Sequence, residues 1–248
     1  MEEIIHGDCL EIMKEIPDKS VDMILCDLPY GTTACHWDTV IPFEPLWTQY
    51  KRIVKDNAAI VLFGRQPFTC SLIMSNIKMF RYELIWEKEK GTDFANSNIK
   101  PINSHENICL FYKNQPTYNK QLIKGKPYYK KCYNNQTKDD INFQGDNSGI
   151  YDNRGFRTPT SVIIISRDNI TAGKSLHPTQ KPVELFKYLI RTYTNEGDLI
   201  LDNCAGSGTT GVAAKRLGRK FILIEKEEKY VEIIKQRLKA EKTMFDNL

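Results

Sequence analysis

Leu199–Asn203 is an apolar segment that ends in Asp202 and Asn203, and it leads into Gly206-Ser207-Gly208-Thr209-Thr210-Gly211 and the helix-forming stretch Thr209–Leu217. A Gly-x-Gly-x-x-Gly loop between a strand and a helix lets the backbone turn sharply and approach a ligand closely. Glu225 closes the next apolar segment about twenty residues on, where an acid can accept hydrogen bonds from ribose hydroxyls. Only 37 residues follow Gly211, too few for the second half of a dinucleotide-binding sheet. The missing strands must come from upstream, so the sheet is permuted and a smaller adenosine cofactor is favoured over a dinucleotide. Val212-Ala213 stand where a phosphate-binding P-loop requires Lys and Ser/Thr. Taken alone, the glycines also fit a tight ligand-free turn, the lesser of the two readings.

The upstream half supplies candidate strands. Ile4–Asp8, Val21–Cys26, Ala58–Phe63, Tyr82–Glu87 and Asn107–Tyr112 read as strands, the second and third apolar enough to be covered on both faces. Cys9–Ile16, Phe43–Lys55, Pro67–Ile77 and Pro182–Thr194 have helical periodicity, the last with Phe186, Leu189, Ile190 and Tyr193 on one face. Strands alternating with helices predict an α/β fold with a mostly parallel sheet. From about residue 114 to 170 the rhythm is lost and Asn, Tyr, Lys and Gly dominate, which reads as an inserted module.

Seven scattered cysteines, an odd number and never spaced Cys-x-x-Cys, argue for reduced cytoplasmic thiols, and with the four histidines they show no metal-ligand spacing. No apolar run approaches the roughly 20 residues needed to span a bilayer. The net charge of +4 is unevenly distributed: residues 113–138 hold seven lysines and no acid, and taking seven from +4 leaves −3 elsewhere. Tyr118, Tyr128, Tyr129 and Tyr133 are interleaved with those lysines. Lysines can neutralise phosphates while tyrosines stack on bases; a solvated loop would look the same on charge alone.

Asp27-Leu28-Pro29-Tyr30 follows Val21–Cys26 directly. A carboxylate, a rigid turn and an aromatic face at the end of a buried strand can grip a flat heterocycle and polarise an amino group on it. Together with Asp202-x-x-x-Gly206-Ser207-Gly208-Thr209-Thr210, His177-Pro178-Thr179-Gln180-Lys181-Pro182 and Gly7-Asp8-Cys9-Leu10, this motif resembles the S-adenosylmethionine-dependent DNA amino-methyltransferases. The order, catalytic motif first and cofactor motif last, is similar to their β class, which is common in bacterial and phage restriction-modification. The resemblance covers about residues 4–113 and 175–240. It implies a Rossmann-like class I methyltransferase fold, a mostly parallel seven-stranded sheet with circularly permuted motifs and an inserted target-recognition region. The catalytic domain would span residues 1–113 and 173–248, with the insert at 114–172.

The resemblance implies S-adenosylmethionine as cofactor and a flipped adenine in double-stranded DNA as substrate, methylated at N6. Cytosine N4, an RNA base, a protein glutamine or a catalytically silent DNA-binding remnant are the alternatives. An acid at position 27 favours adenine, since serine is more usual in enzymes acting on cytosine N4. Cytosine C5 chemistry, with its Pro-Cys nucleophile, is excluded because the chain has no Pro-Cys. Asp27 and the Leu28 carbonyl would bind the amino group, beside Pro29, and Tyr30 would stack on the base. Asp8 and Cys9 would lie at the cofactor's adenine, Glu225 at its ribose, and His177 and Lys181 at its methionine carboxylate. Asp202, Cys204, Gly206, Ser207, Gly208, Thr209 and Thr210 would surround the methionine moiety. Asp8 serves equally as a helix N-cap, Lys181 as a surface lysine and Trp37 as a core residue or a contact for the flipped base. Lys124, Lys126, Lys130 and Lys131 would meet DNA. A homodimer and an accompanying restriction enzyme are the further partners that the resemblance brings. Leu28 replaces the family's first proline, and Asn203-Cys204 its usual Pro-Phe.

Overall fold

The computed structural model describes residues 2–31, 38–132, 149–166 and 180–241. It divides into two compact units, one of Met1–Asn119 with Ser161–Leu248 and one of Lys120–Thr160.

The first unit is built on β1 (Glu2–His6), β2 (Val21–Cys26), β3 (Val54–Gly64), β4 (Phe80–Thr92) and β5 (Asn103–Phe111). The second unit contains β6 (Ile123–Lys124), β7 (Tyr128–Cys132), β8 (Gly149–Asn153) and β9 (Phe156–Arg157). The first unit resumes with β10 (Val162–Ile164), β11 (Leu199–Asp202) and β12 (Lys220–Glu225). Its sheet has the order β1-β12-β11-β2-β3-β5-β4-β10. Neighbours are parallel except at β5, which runs antiparallel to both β3 and β4. The α/β class and mostly parallel sheet match the expectation, and β10 adds an eighth strand to the seven expected. Val162-Ile163-Ile164 lies within the stretch read as irregular, and its pairing with Ile85–Glu87 is what makes it a strand.

Among the described residues, six α-helices flank this sheet: α1 (Cys9–Ile12), α2 (Phe43–Ile53), α3 (Phe68–Ser75), α4 (Val183–Tyr193), α5 (Thr209–Arg216) and α6 (Glu228–Ala240). Side chains alternate across a strand, and β2 and β3 use both sides. Met23, Leu25, Ala59, Val61 and Phe63 pack with α4, α5 and α6, while Ile24, Cys26, Ile60 and Leu62 pack with α1, α2 and α3. This two-sided burial is why their sequences are almost continuously apolar. In the second unit, β6 pairs with β9 and β7 with β8, both antiparallel, and the Arg157 guanidinium lies 4.5 Å from the centre of the Tyr128 ring.

Candidate active site

Parallel strands deliver their last residues to one edge of the sheet, and a cleft of about 650 Å³ opens there, as expected for an open α/β sheet. Asp8 follows β1, Asp27 follows β2, and Asp202 and Glu225 end β11 and β12; all four line the cleft. Because β5 runs the other way, its early residue Glu106 reaches the same edge.

At one side is the glycine loop. Gly206 and Gly208 have φ of 52° and 79°, in the left-handed region that glycine enters without strain. The Gly206 N–H donates to Glu225 Oε2 at 2.7 Å, and the Glu227 N–H to Glu225 Oε1 at 2.9 Å. A carboxylate has about four lone-pair sites, so capacity remains for ligand hydroxyls. Burial raises the Glu225 carboxyl above its usual range. Arg237 of α6 secures the loop from behind, donating to the Ser207 carbonyl at 2.6 Å and to Ser207 Oγ at 3.0 Å. Asp202 accepts the Thr210 hydroxyl on Oδ2 and the Cys204 N–H on Oδ1 at 3.1 Å. Burial pushes its carboxyl up to about 6.

Asp8 is the N-cap of α1, accepting the Leu10 N–H at 2.9 Å, so the capping role is real and coexists with a place in the cleft wall. Cys9 and Cys204 also line the cleft. Hydrogen bonds with Cys26 and Cys9 hold the Cys204 thiol well above its ordinary range, and burial lifts Cys26 to about 12. Both shifts favour the neutral thiol at Cys204 and Cys26.

The other side is a chain of alternating charges. The Tyr30 hydroxyl donates to Asp27 Oδ1 at 2.5 Å, and its ring packs on Phe68 with centroids 5.0 Å apart. Lys181 donates from Nζ to Asp27 Oδ2 and stands 3.2 Å from Glu106 Oε2. Lys88 Nζ pairs with Glu106 Oε1 at 2.5 Å. Lys88, Glu106 and Lys181 are 5%, 9% and 7% exposed, burial that ionised side chains rarely reach unless paired. Burial raises the Asp27 carboxyl; Lys181 opposes this and Glu106 adds to it. Burial acts against ionisation of Glu106 too, but the Lys181 and Lys88 ammonium groups outweigh it and hold that carboxyl below its usual range. Lys181, between two acids, is raised despite burial.

Of the residues singled out in the sequence, Asp8, Cys9, Asp27, Leu28, Pro29, Tyr30, Lys181, Asp202, Cys204, Gly206, Ser207, Thr209 and Glu225 share this one cleft. Gly208 and Thr210 do not line it. A Cβ on Gly208 would meet Ile234 at 2.9 Å, and Thr210 is fully buried on Asp202, so both shape the loop from behind. Lys181, expected at a methionine carboxylate, is paired with Asp27 and Glu106. His177 and Trp37 lie outside the described residues. Lys124 and Lys126 are exposed in the second unit, and Lys130 and Lys131 lie in β7. Sequence reasoning missed Glu106 and Lys88, and gave Gln180 no role within the motif that contains it. Lys88 had one signal, its two-residue spacing from Trp86, which puts both on one strand face.

Residues 21–236 match the family model of the N6/N4 type described as DNA methylase. The type II methyltransferase M.HinfI of Haemophilus influenzae is 28% identical over 269 residues, covering 95% of this chain and 68% of its own. The crystal structure of the M1.HpyAVI–SAM complex is 25% identical with a TM-score of 0.66, covering 96% of this chain and 99% of that one. The PvuII DNA methyltransferase, cytosine-N4-specific, shares the fold at a TM-score of 0.69 and 17% identity, over 98% of this chain and 88% of that one. With the acid-led tetrapeptide and the glycine loop facing one cleft, and with the family match spanning most of its length, the chain belongs to the N6/N4 DNA methylases.

Proposed function

We propose that the protein uses S-adenosylmethionine to methylate the N6 amino group of an adenine flipped out of double-stranded DNA. The observation that carries this reading is Asp27, whose carboxylate stands at the end of β2 in the cleft that also holds the Gly206–Thr209 loop. An acid at this position favours adenine, where serine would favour cytosine. The similarity to M1.HpyAVI, solved with SAM, supports the cofactor.

The residues present fit that cofactor. Glu225 and Asp8 offer acceptors for ribose and adenine, and the glycine loop offers close backbone. Gln180 Oε1, on the cleft wall, is buried with no hydrogen-bond partner among the described residues. When bound, S-adenosylmethionine would supply an electrophilic methyl group on a sulfonium, with S-adenosylhomocysteine as the leaving group and one proton passing from the amino nitrogen to solvent. Asp27 accepts a hydrogen bond from the amino group, with the Leu28 carbonyl as second acceptor, and so turns the nitrogen lone pair towards the methyl carbon. Tyr30, braced by Phe68 and tied to Asp27, offers its ring to the base, which must leave the duplex to reach the cleft. Residues 114–172 form the target-recognition region in this reading, with Lys124, Lys126, Lys130 and Lys131 contacting phosphates.

The test is methylation of unmodified bacterial DNA with labelled S-adenosylmethionine, followed by nucleoside analysis. Label in N6-methyladenine, reduced by at least about a hundredfold in Asp27→Ala, is the expected result. Label in N4-methylcytosine would keep the chemistry and overturn the base.

A further inference from the structure

Glu106 Oε2 is buried and accepts no hydrogen bond, yet it lies 3.2 Å from an ammonium group. An unsatisfied buried carboxylate oxygen is costly, and here its natural donor, Lys181, is turned to Asp27. Lys88 holds the other oxygen of Glu106 at 2.5 Å, which fixes the carboxylate with Oε2 facing Lys181. Lys181 therefore bridges two carboxylates, hydrogen-bonded to Asp27 and in ion-pair contact with Glu106 Oε2 without a hydrogen bond in line.

The hydrogen bond to Asp27 conflicts with the chemistry. Asp27 already receives the Tyr30 hydroxyl on Oδ1 and Lys181 on Oδ2. Asp27 keeps lone pairs for an arriving amino group, but that group would share Oδ2 with a cation. As the nitrogen attacks it becomes positive, and an ammonium beside it in a buried site opposes that charge.

Building on the catalytic reading of Asp27, we propose that Glu106, anchored by Lys88, is a second seat to which Lys181 moves when the base amino group takes Asp27 Oδ2. Lys181 thus closes the empty site and withdraws from the engaged one. Glu106 and Lys88 are positioning residues; they act on the base only through Lys181.

Glu106→Gln keeps the shape of the second seat and removes its charge, leaving Lys181 on Asp27. The groups that bear on Asp27 are Lys181, Glu106 and Tyr30, with Asp202 and the Cys26 thiol more remote. Glu106 raises the Asp27 carboxyl, so its neutralisation lowers it. The expected result is an unusual pair: the single-turnover plateau falls by about tenfold or more while the acid limb moves to lower pH. Affinity for S-adenosylmethionine stays within about twofold, the scatter expected of an uncoupled site. A carboxyl-carbon NMR titration of Asp27 without cofactor should show the same downward shift. In a Lys181→Met background, Glu106→Gln should cost nothing further, since the seat then has no occupant. Asp27→Ala is measured alongside. An unchanged plateau in Glu106→Gln, or the same loss in the Lys181→Met background, overturns the two-seat device and leaves Asp27 as the catalytic carboxylate. Retained methylation in Asp27→Ala overturns both.

Discussion

Asp202 is only 3% exposed, and burial lifts its carboxyl to about 6 although Thr210 and the Cys204 N–H stabilise the anion. S-adenosylmethionine carries cationic sulfonium and ammonium groups, which favour an ionised neighbour. A carboxyl that titrates near 6 is mostly protonated in the free protein on the acid side, and if Asp202 faces the methionine moiety, as the proposed function has it, binding displaces that proton. Affinity should therefore rise with pH up to about 6 and level off above it, by at most about tenfold per unit on the acid side. Isothermal titration from pH 5 upward checks this, with S-adenosylhomocysteine, which lacks the sulfonium charge, giving a shallower slope. Asp202→Asn should flatten the dependence and weaken binding at neutral pH; a slope unchanged in that variant would assign the titration to another group. Asp202 was legible in the sequence because it ends an apolar run before the glycines. Its hold on Thr210 was not, since the six-residue loop 203–208 and the first turn of α5 have to fold before the two side chains meet.

At the scale of elements, the third glycine of the loop shows how closely helix and sheet approach. A Cβ on Gly211 would meet Leu223 Cδ1 at 2.6 Å, and Leu223 is fully buried in β12, so it has little room to yield. Gly211→Val should cost about 1–3 kcal/mol through overpacking, seen as a lower midpoint in thermal unfolding. Because α5 begins at Thr209, the same variant should also weaken cofactor binding. Most strands and helices could be read from periodicity, since β2 and β3 are buried on both faces and α2 and α4 on one. Glu106 could not. His105-Glu106-Asn107 looks like the polar approach to an apolar strand, and only the antiparallel direction of β5, with Glu106 opposite Trp86, brings the carboxylate to the cleft. Strand direction depends on pairings between distant segments, which local pattern does not encode. β10 escaped for a related reason: three apolar residues at a sheet edge have no period of their own.

For the whole molecule, charge is the property that acts at a distance. Seven lysines in residues 113–138 stand against a net −3 for the remainder of the chain, and Lys124 and Lys126 are exposed. If they neutralise phosphates, DNA affinity should fall steeply with salt, and Lys124→Ala and Lys126→Ala should each reduce the slope of log K against log salt by about one. Fluorescence anisotropy across a salt series measures this, with cofactor affinity unchanged in both variants. A slope indifferent to both lysines would move the DNA contact elsewhere. The sheet order carries a different consequence, one of timing. β2 lies beside β11, yet 172 residues separate Cys26 from Leu199. At about 5–20 residues per second, synthesis leaves that apolar edge without its partner for on the order of 10–30 s. Through that interval no cofactor can assist the edge, because β11 and β12, which complete the cleft, are made only after it.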